Sequence, residues 1–308
     1  MRLHLGKLIA VASLALATVG HAEPRSSVPR RVEAGDSLAV LAAEYYGDRR
    51  HAALLRLANA MDGDRELRPR ERIRIPVGMR LVTEAGDRLE TLATTHLDDE
   101  RRAEFLADYN DIDPEVSLAA GELLRVPFHV ELRADETTSL ARIAARYMRG
   151  ARDAELLRAY NFLDDEVEHV AEGDSILIPT LHIAVRSARM PQLTDQQIAR
   201  VETRREAQAG AEAALPPARH AWRRGDYDAV IDKLAPLSLD FLDADVALEV
   251  SQFLGGAHLA RGDEETAEAV FRAALARDPD HEMSAYRFSP AIRGLWEALG
   301  GRVETSSR

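Results

Sequence analysis

Along the first 180 residues the spacing of apolar positions switches between two periods, and it does so three times. The first copy opens on Arg31-Val32-Glu33, a short alternation that suits a half-buried strand. Ser37 to Tyr46 then places Leu38, Leu41 and Ala42 on one helical face, and His51 to Ala60 does the same with Leu54, Leu55 and Ala58. After a polar loop Ile73-Arg74-Ile75 alternates again, and Pro76, which has no ladder donor, stops it. The landmarks are Ala34-Gly35-Asp36-Ser37-Leu38, Asn59 and Ile73 to Pro76. Adding 51 gives Ala85-Gly86-Asp87-Arg88-Leu89, Asn110 and Leu124-Arg125-Val126-Pro127, behind an opening run Leu81-Val82-Thr83. Adding 51 again gives Glu136-Thr137-Thr138-Ser139-Leu140 and Asn161, behind Val130-Glu131-Leu132. One further residue then aligns Ile176-Leu177-Ile178-Pro179. Self-similarity at a fixed period marks an array of small units. The pattern predicts three strand–helix–helix–strand units, at residues 30–77, 79–128 and 129–180.

In the first two units Gly-Asp follows the opening strand, Gly being free to take positive φ and Asp able to cap a helix. Only Val77-Gly78-Met79-Arg80 and Pro127-Phe128-His129 separate the units, which predicts a semi-rigid string. Arg70 stands in the first unit where Gly precedes the last strand of the others. Glu23 to Arg30 reads as a flexible leader.

After Pro179 a connector, 181–193, holds Leu181, His182 and Ile183-Ala184-Val185 and closes at Pro191. Residues 194–300 read as all-α. Thr194 to Leu215 is rich in Ala, Glu, Gln and Arg, which predicts a long solvent-facing helix, broken by Pro216-Pro217. A later stretch sets Leu254-Gly255, His258, Gly262-Asp263, Ala267, Phe271, Ala274 and Pro279 at the spacing of paired helices. A weaker copy has Ala218, Trp222, Gly225-Asp226-Tyr227 and Leu234. Pro290 to Leu299, with Trp296, reads as a capping helix, and the tail 301–308 as frayed. Arg224-Gly225-Asp226 and Arg261-Gly262-Asp263 each spell a cell-adhesion tripeptide, at turns where Gly-Asp is expected anyway.

The strand–helix–helix–strand order with these landmarks resembles the LysM module, a small βααβ domain that binds N-acetylglucosamine-containing glycans. Its opening Gly-Asp-Thr-Leu reads here as Gly35-Asp36-Ser37-Leu38, its mid-module Asn as Asn59, and its closing motif as Pro69-Arg70-Glu71-Arg72-Ile73-Arg74-Ile75-Pro76. The second copy keeps Gly86-Asp87, Asn110 and Gly121-Glu122-Leu123-Leu124-Arg125-Val126-Pro127. The third keeps Asn161 and Gly173-Asp174-Ser175-Ile176-Leu177-Ile178-Pro179 and is degenerate at its opening. The resemblance implies a shallow sugar groove between the first turn and the loop after the second helix. In the first unit Gly35, Asp36, Ser37, Met61 and Asp62 would line it; in the second, Gly86, Asp87, Arg88, Asp111 and Ile112. The third, with Thr137-Thr138 for Gly-Asp, is expected to keep the fold and lose the site. Asn59, Asn110 and Asn161 are expected to be structural, bonding loop backbone at a helix end. The helical stretch resembles tetratricopeptide repeats, which implies a protein partner.

Composition narrows the rest. Among 308 residues there is no cysteine, so disulfides, thiolate metal sites and thiol catalysis are excluded. Arg2 and Lys7, the apolar run Leu8 to Val19 and the small residues around Gly20-His21-Ala22 read as a signal peptide over 1–22, whose apolar run is too short to span a bilayer. Its removal takes two positive charges and no negative ones, so the net charge of −12 becomes −14. An acidic chain without a basic cluster is a poor partner for nucleic acid or anionic lipid. There is no nucleophile elbow, no His-Glu-x-x-His and no phosphate-cradling glycine loop. The reading is an exported, non-catalytic protein of the periplasm or cell envelope, without cofactor or metal. Its units would hold peptidoglycan and its helices a protein. The alternative is an envelope scaffold whose units are purely structural and whose helices recruit the partner.

Overall fold

The structure, a computed structural model, describes residues 26–304 apart from 62, 64 and 116. The expected signal segment and the groove residue Asp62 lie outside the described residues. Among those described, the chain is mixed α/β, with eleven α-helices and five two-stranded sheets.

The first unit is β1 (Ser27–Arg31), α1 (Leu38–Tyr46), α2 (Ala52–Ala58) and β2 (Arg72–Pro76). The second is β3 (Met79–Val82), α3 (Leu89–Leu97), α4 (Ala103–Asn110) and β4 (Leu123–Val126). In the third, β5 (His129–Arg133), β6 (Thr138–Ser139), α5 (Leu140–Tyr147) and α6 (Ala154–Tyr160) precede β7 (His169–Val170) and β8 (Ser175–Pro179). Each unit closes by pairing its outer strands antiparallel, with Val28 opposite Ile75, Leu81 opposite Leu124 and Val130 opposite Ile178. The first strand starts earlier than its alternation suggests, so residues 27–30 of the expected leader are sheet. Val28 gains a place on the core face opposite Ile75. Pro29 is tolerated because both strands of a two-stranded sheet are edges.

Three asparagines tie helix to strand in one geometry. Asn59 Nδ2 donates to the carbonyls of Leu55 and Arg74, both at 2.8 Å, while its Oδ1 accepts from Arg74 N–H at 2.7 Å. Asn110 repeats this with Leu106 and Arg125, and Asn161 with Leu157 and Leu177. The amide therefore clamps the closing strand, not the loop. One residue on, Ala60, Asp111 and Phe162 all take left-handed backbone, at φ 47°, 58° and 54°. The next N–H reaches back five residues (Met61 to Arg56, Ile112 to Ala107, Leu163 to Arg158), which is the Schellman way of ending a helix.

The units do not form a string. The first and third share one core, in which Leu54, Leu55 and Ile75 join Val130, Leu157 and Ile178, with Phe128 and Ile183 of the connections between. Helix α2 packs on β5 and α5. A unit of this size is marginal alone, and these two bury apolar faces against each other. The second unit keeps its own core of Leu89, Leu97, Leu106 and Leu124 and is held from two sides. Toward the third unit, Arg102 is buried; its Nη1 donates to Leu97 O at 2.6 Å and its Nε to Tyr160 O at 3.2 Å, and its guanidinium lies 4.7 Å from the Tyr160 ring centre. His129 bridges Tyr160 Oη and Asp98 at 2.9 and 3.1 Å.

On its other side the second unit meets the helices. These are α7 (Asp195–Arg223), α8 (Tyr227–Leu234), α9 (Ala244–Ala260), α10 (Glu264–Arg277) and α11 (Pro290–Ala298). Ala120 N–H donates to Asp240 O at 2.7 Å, Ser117 Oγ to Arg277 O at 2.5 Å, and Arg200 pairs with Glu84 at 2.7 Å. Helix α7 starts at a Thr194/Gln197 capping box and runs straight through Pro216-Pro217, where a break is expected. Ala211, Leu215, Ala218 and Ala221 bury one continuous stripe across the prolines. The positions that lose a helical donor, Glu212 and Ala213, are solvent-exposed, where an unbonded carbonyl costs least. The helices pair as α7 with α8 and α9 with α10. Gly256 admits Trp222 at 2.7 Å from where a Cβ would stand, and Ala267, Phe271 and Ala274 are buried. Asp226 and Asp263 of the two Arg-Gly-Asp sequences are committed as helix caps, accepting from Ala229 and Thr266 N–H. In the described part of the tail β10 (Arg302–Val303) lies parallel to β9 (Glu282–Met283), and buried Trp296 donates to Arg302 O at 2.8 Å. Residues 305–308 lie outside the described residues.

Candidate functional site

The opening turns of the first two units share one pair of hydrogen bonds. Gly35 and Gly86 sit at φ 91° and 88°, where an L side chain is strained. Asp36 accepts from Glu33 N–H at 2.8 Å and Asp87 from Glu84 N–H at 2.7 Å. Each Asp N–H returns the bond to the carbonyl of the same Glu at 3.2 Å. The Asp side chain thus closes the turn and does not cap the helix, as its position before α1 suggests. Ser37 is the cap, accepting from Val40 N–H at 3.2 Å, whereas Arg88 offers no side-chain cap and pairs with Glu90 at 3.4 Å. Arg30 adds a second partner to Asp36 at 3.5 Å. Both carboxylates are spent on the turn, and what faces solvent is glycine backbone with its flanking residues. No heavy atom beyond the chain neighbours lies within 4 Å of where a Cβ on Gly35 or Gly86 would be.

The second wall of each expected groove starts from the helix-ending motif. Met61 and Ile112 occupy equivalent places just after the left-handed residue, and both pack partly buried on their unit's core. Asp111 is the left-handed residue itself and is exposed. In the second unit this wall is fixed from behind, since Ser117 and Ala120 are bonded to the helical layer.

The third unit differs. Its opening segment and its post-helix loop pair with each other as β6 and β7, Thr138 opposite Val170 and Ser139 opposite His169. Leu140 N–H adds a bond to Glu168 O at 2.9 Å. The two segments are thereby joined by backbone, which the matching segments of the first two units are not among the described residues.

Comparison with protein-family models, with curated proteins and with solved structures found no match to this chain. The functional reading therefore rests on the residues and their geometry.

A cleft of about 530 Å³ lies where the first unit meets the third. Met61 and Gly63 of the first unit border it, and across from them stand Arg142, Arg146 and Tyr147 of α5. Burial raises the Tyr147 hydroxyl above its ordinary pKa, with Arg146 opposing. Nothing in the repeat pattern points to this cleft, because it exists only through the fusion of two units that are not neighbours in sequence. Tyr45 and Tyr160 are core residues, and burial raises the Tyr160 hydroxyl well above its usual range. Among the described residues no group of three or more His, Asp or Glu converges to hold a metal ion.

Proposed function

We propose that this is a non-catalytic binding protein of the LysM kind, which holds an N-acetylglucosamine-containing glycan at the opening turns of its first two units. The observation that carries this is the pair of solvent-open Gly35 and Gly86 turns, alike in their hydrogen bonds, beside a third unit whose matching segments are joined by β6 and β7. An acetamido group needs backbone donors and acceptors at close range and a small apolar surface. A glycine turn supplies the first, and Met61 or Ile112 the second. A single shallow groove binds weakly, but two on one polymer strand raise effective concentration, worth on the order of 10²–10⁴-fold in avidity. Peptidoglycan is the polymer such a protein would meet in the periplasm or cell envelope once residues 1–22 have directed export. No helix among the described residues is long and apolar enough to cross a membrane. The helices α7 to α11, with their tetratricopeptide-like hairpins, would hold a protein partner.

The test is co-sedimentation of the full chain with insoluble peptidoglycan, with cellulose as control. Gly35→Trp and Gly86→Trp should each weaken pelleting and together abolish it, with the melting transition retained. Pelleting that survives the double substitution would refute the assignment. A second reading, in which the units are scaffold for the helices, draws on one observation: the second unit's groove wall is bonded to the helical layer at Ser117 and Ala120. Failure of the wild-type chain to pellet would favour it.

A further inference from the structure

The described lining of the cleft between the first and third units is richer in positive than in negative charge, unlike the chain as a whole. Among the described residues that border it are four arginines (Arg56, Arg133, Arg142 and Arg146) and two carboxylates, Asp135 and Glu136, in a chain of net charge −12. Arg142 pairs with Glu136 at 3.1 Å, and the two side chains are 72% and 63% exposed, so water screens the pair. Arg146 leans on Tyr147, its guanidinium 5.3 Å from the ring centre. Leu57, Met61, Leu132 and Ile143 give the cleft an apolar floor. Met61 belongs to this floor and also to the expected groove of the first unit, so the two sites are contiguous.

We propose that this cleft binds carboxylate groups carried on a glycan strand, extending the groove of the first unit into a composite site; this rests on the glycan reading above. Arginine is suited to the task because its planar fork meets a carboxylate with two parallel bonds. Asp135 and Glu136 on the same rim disfavour a dense polyanion such as nucleic acid, and suit isolated carboxylates spaced between sugar and peptide. A strand whose acetylated sugar sits at Gly35 to Ser37 would carry its acidic substituents past Met61 toward Arg142 and Arg146. The site is therefore selective for peptide-substituted, carboxylate-bearing glycan over the neutral homopolymer.

Calorimetric titration of the full chain with two soluble probes tests this. One is a peptidoglycan-derived disaccharide-peptide with free carboxylates; the other is chitotetraose, which has none. The first should bind at least about tenfold more tightly, as expected for hydrogen bonds to a charged group, and the advantage should shrink as salt is raised. Arg142→Gln with Arg146→Gln should bring its affinity down to that of chitotetraose, leave chitotetraose binding as it was, and leave the melting temperature unchanged, since both side chains are exposed. Equal affinity for the two probes, or a carboxylate preference that survives the double substitution, overturns the cleft and leaves the groove standing. Binding of neither probe overturns the glycan reading and the cleft with it.

Discussion

Four glycines of the repeated units share a backbone conformation and differ in what surrounds them, which separates two costs that usually come together. Gly35, Gly86, Gly121 and Gly173 have φ between 80° and 91°. At Gly35, Gly86 and Gly173 an added Cβ meets nothing within 4 Å. At Gly121 it would stand 2.6 Å from Arg200 O and 2.8 Å from Arg204 Cβ, both fixed on helix α7. Alanine at the three open positions therefore costs only the left-handed strain, about 1–2 kcal/mol, reduced by about 0.4–1 kcal/mol because the unfolded chain loses freedom too. Alanine at 121 adds the cost of overpacking against a helix backbone, about 1–3 kcal/mol. The expected ranking is a loss of about 1 kcal/mol for Gly35→Ala, Gly86→Ala and Gly173→Ala, and about 2–4 kcal/mol for Gly121→Ala. Urea denaturation read by circular dichroism resolves these differences, and amide exchange at the start of α7 should accelerate in Gly121→Ala alone. Four equal losses would mean that the second unit does not rest on α7, and the docking described above would be wrong.

Other predictions follow from single contacts. Asn110→Ala removes two bonds between α4 and β4 and one within α4, and leaves the Arg125 backbone groups without their side-chain partner, so it should cost about 1–3 kcal/mol by chemical denaturation. An equal stability for Asn110→Ala and wild type would remove the clamp from the account. Arg102→Ala strands the Leu97 and Tyr160 carbonyls in a buried contact and should loosen the second unit from the third; faster proteolysis within residues 79–128 measures it. His182, whose ring nitrogens have no hydrogen-bond partner among the described residues, is pushed down to about 4 by burial, with His51 and Arg149 adding to the effect. The unfolded chain binds that proton near 6.5 and the folded chain only near 4, so stability falls as pH drops through this window. His182→Leu should flatten the decline between pH 6.5 and 4.5; an unchanged slope would assign it to other groups.

Much of this architecture can be read in the chain, and the reason is local. The apolar spacing of Leu38, Leu41 and Ala42, the Asn59, Asn110 and Asn161 series and the proline at or just past the end of each closing strand are short-range signals, and helices and strands alternate in the order they suggest. Gly225-Asp226 and Gly262-Asp263 likewise mark the two helical turns. What escapes is decided at long range. Leu54 and Leu55 announce a buried face but not that Val130 and Ile178 will cover it. Pro216-Pro217 breaks a helix by its own chemistry, and only the buried stripe from Ala211 to Ala221 overrides it. Asp36 and Ser37 are both plausible caps, and the backbone of the turn decides which. The departure of the third unit has a visible trace, the absence of Gly at Thr137-Thr138, but the pairing of Ser139 with His169 has none. Of the groove residues, the glycines stand open as their type suggests, while Asp36 and Asp87 prove to be occupied by the turn.

The core shared by the first and third units also orders events in time. A chain that folds as it emerges can complete the second unit early, because Leu89, Leu97, Leu106 and Leu124 are close in sequence and local contacts form fast. The apolar face around Leu54 and Leu55 must wait, uncovered, until Val130 and Ile178 have followed. The order of synthesis thus leaves that face exposed for the time needed to make the third unit.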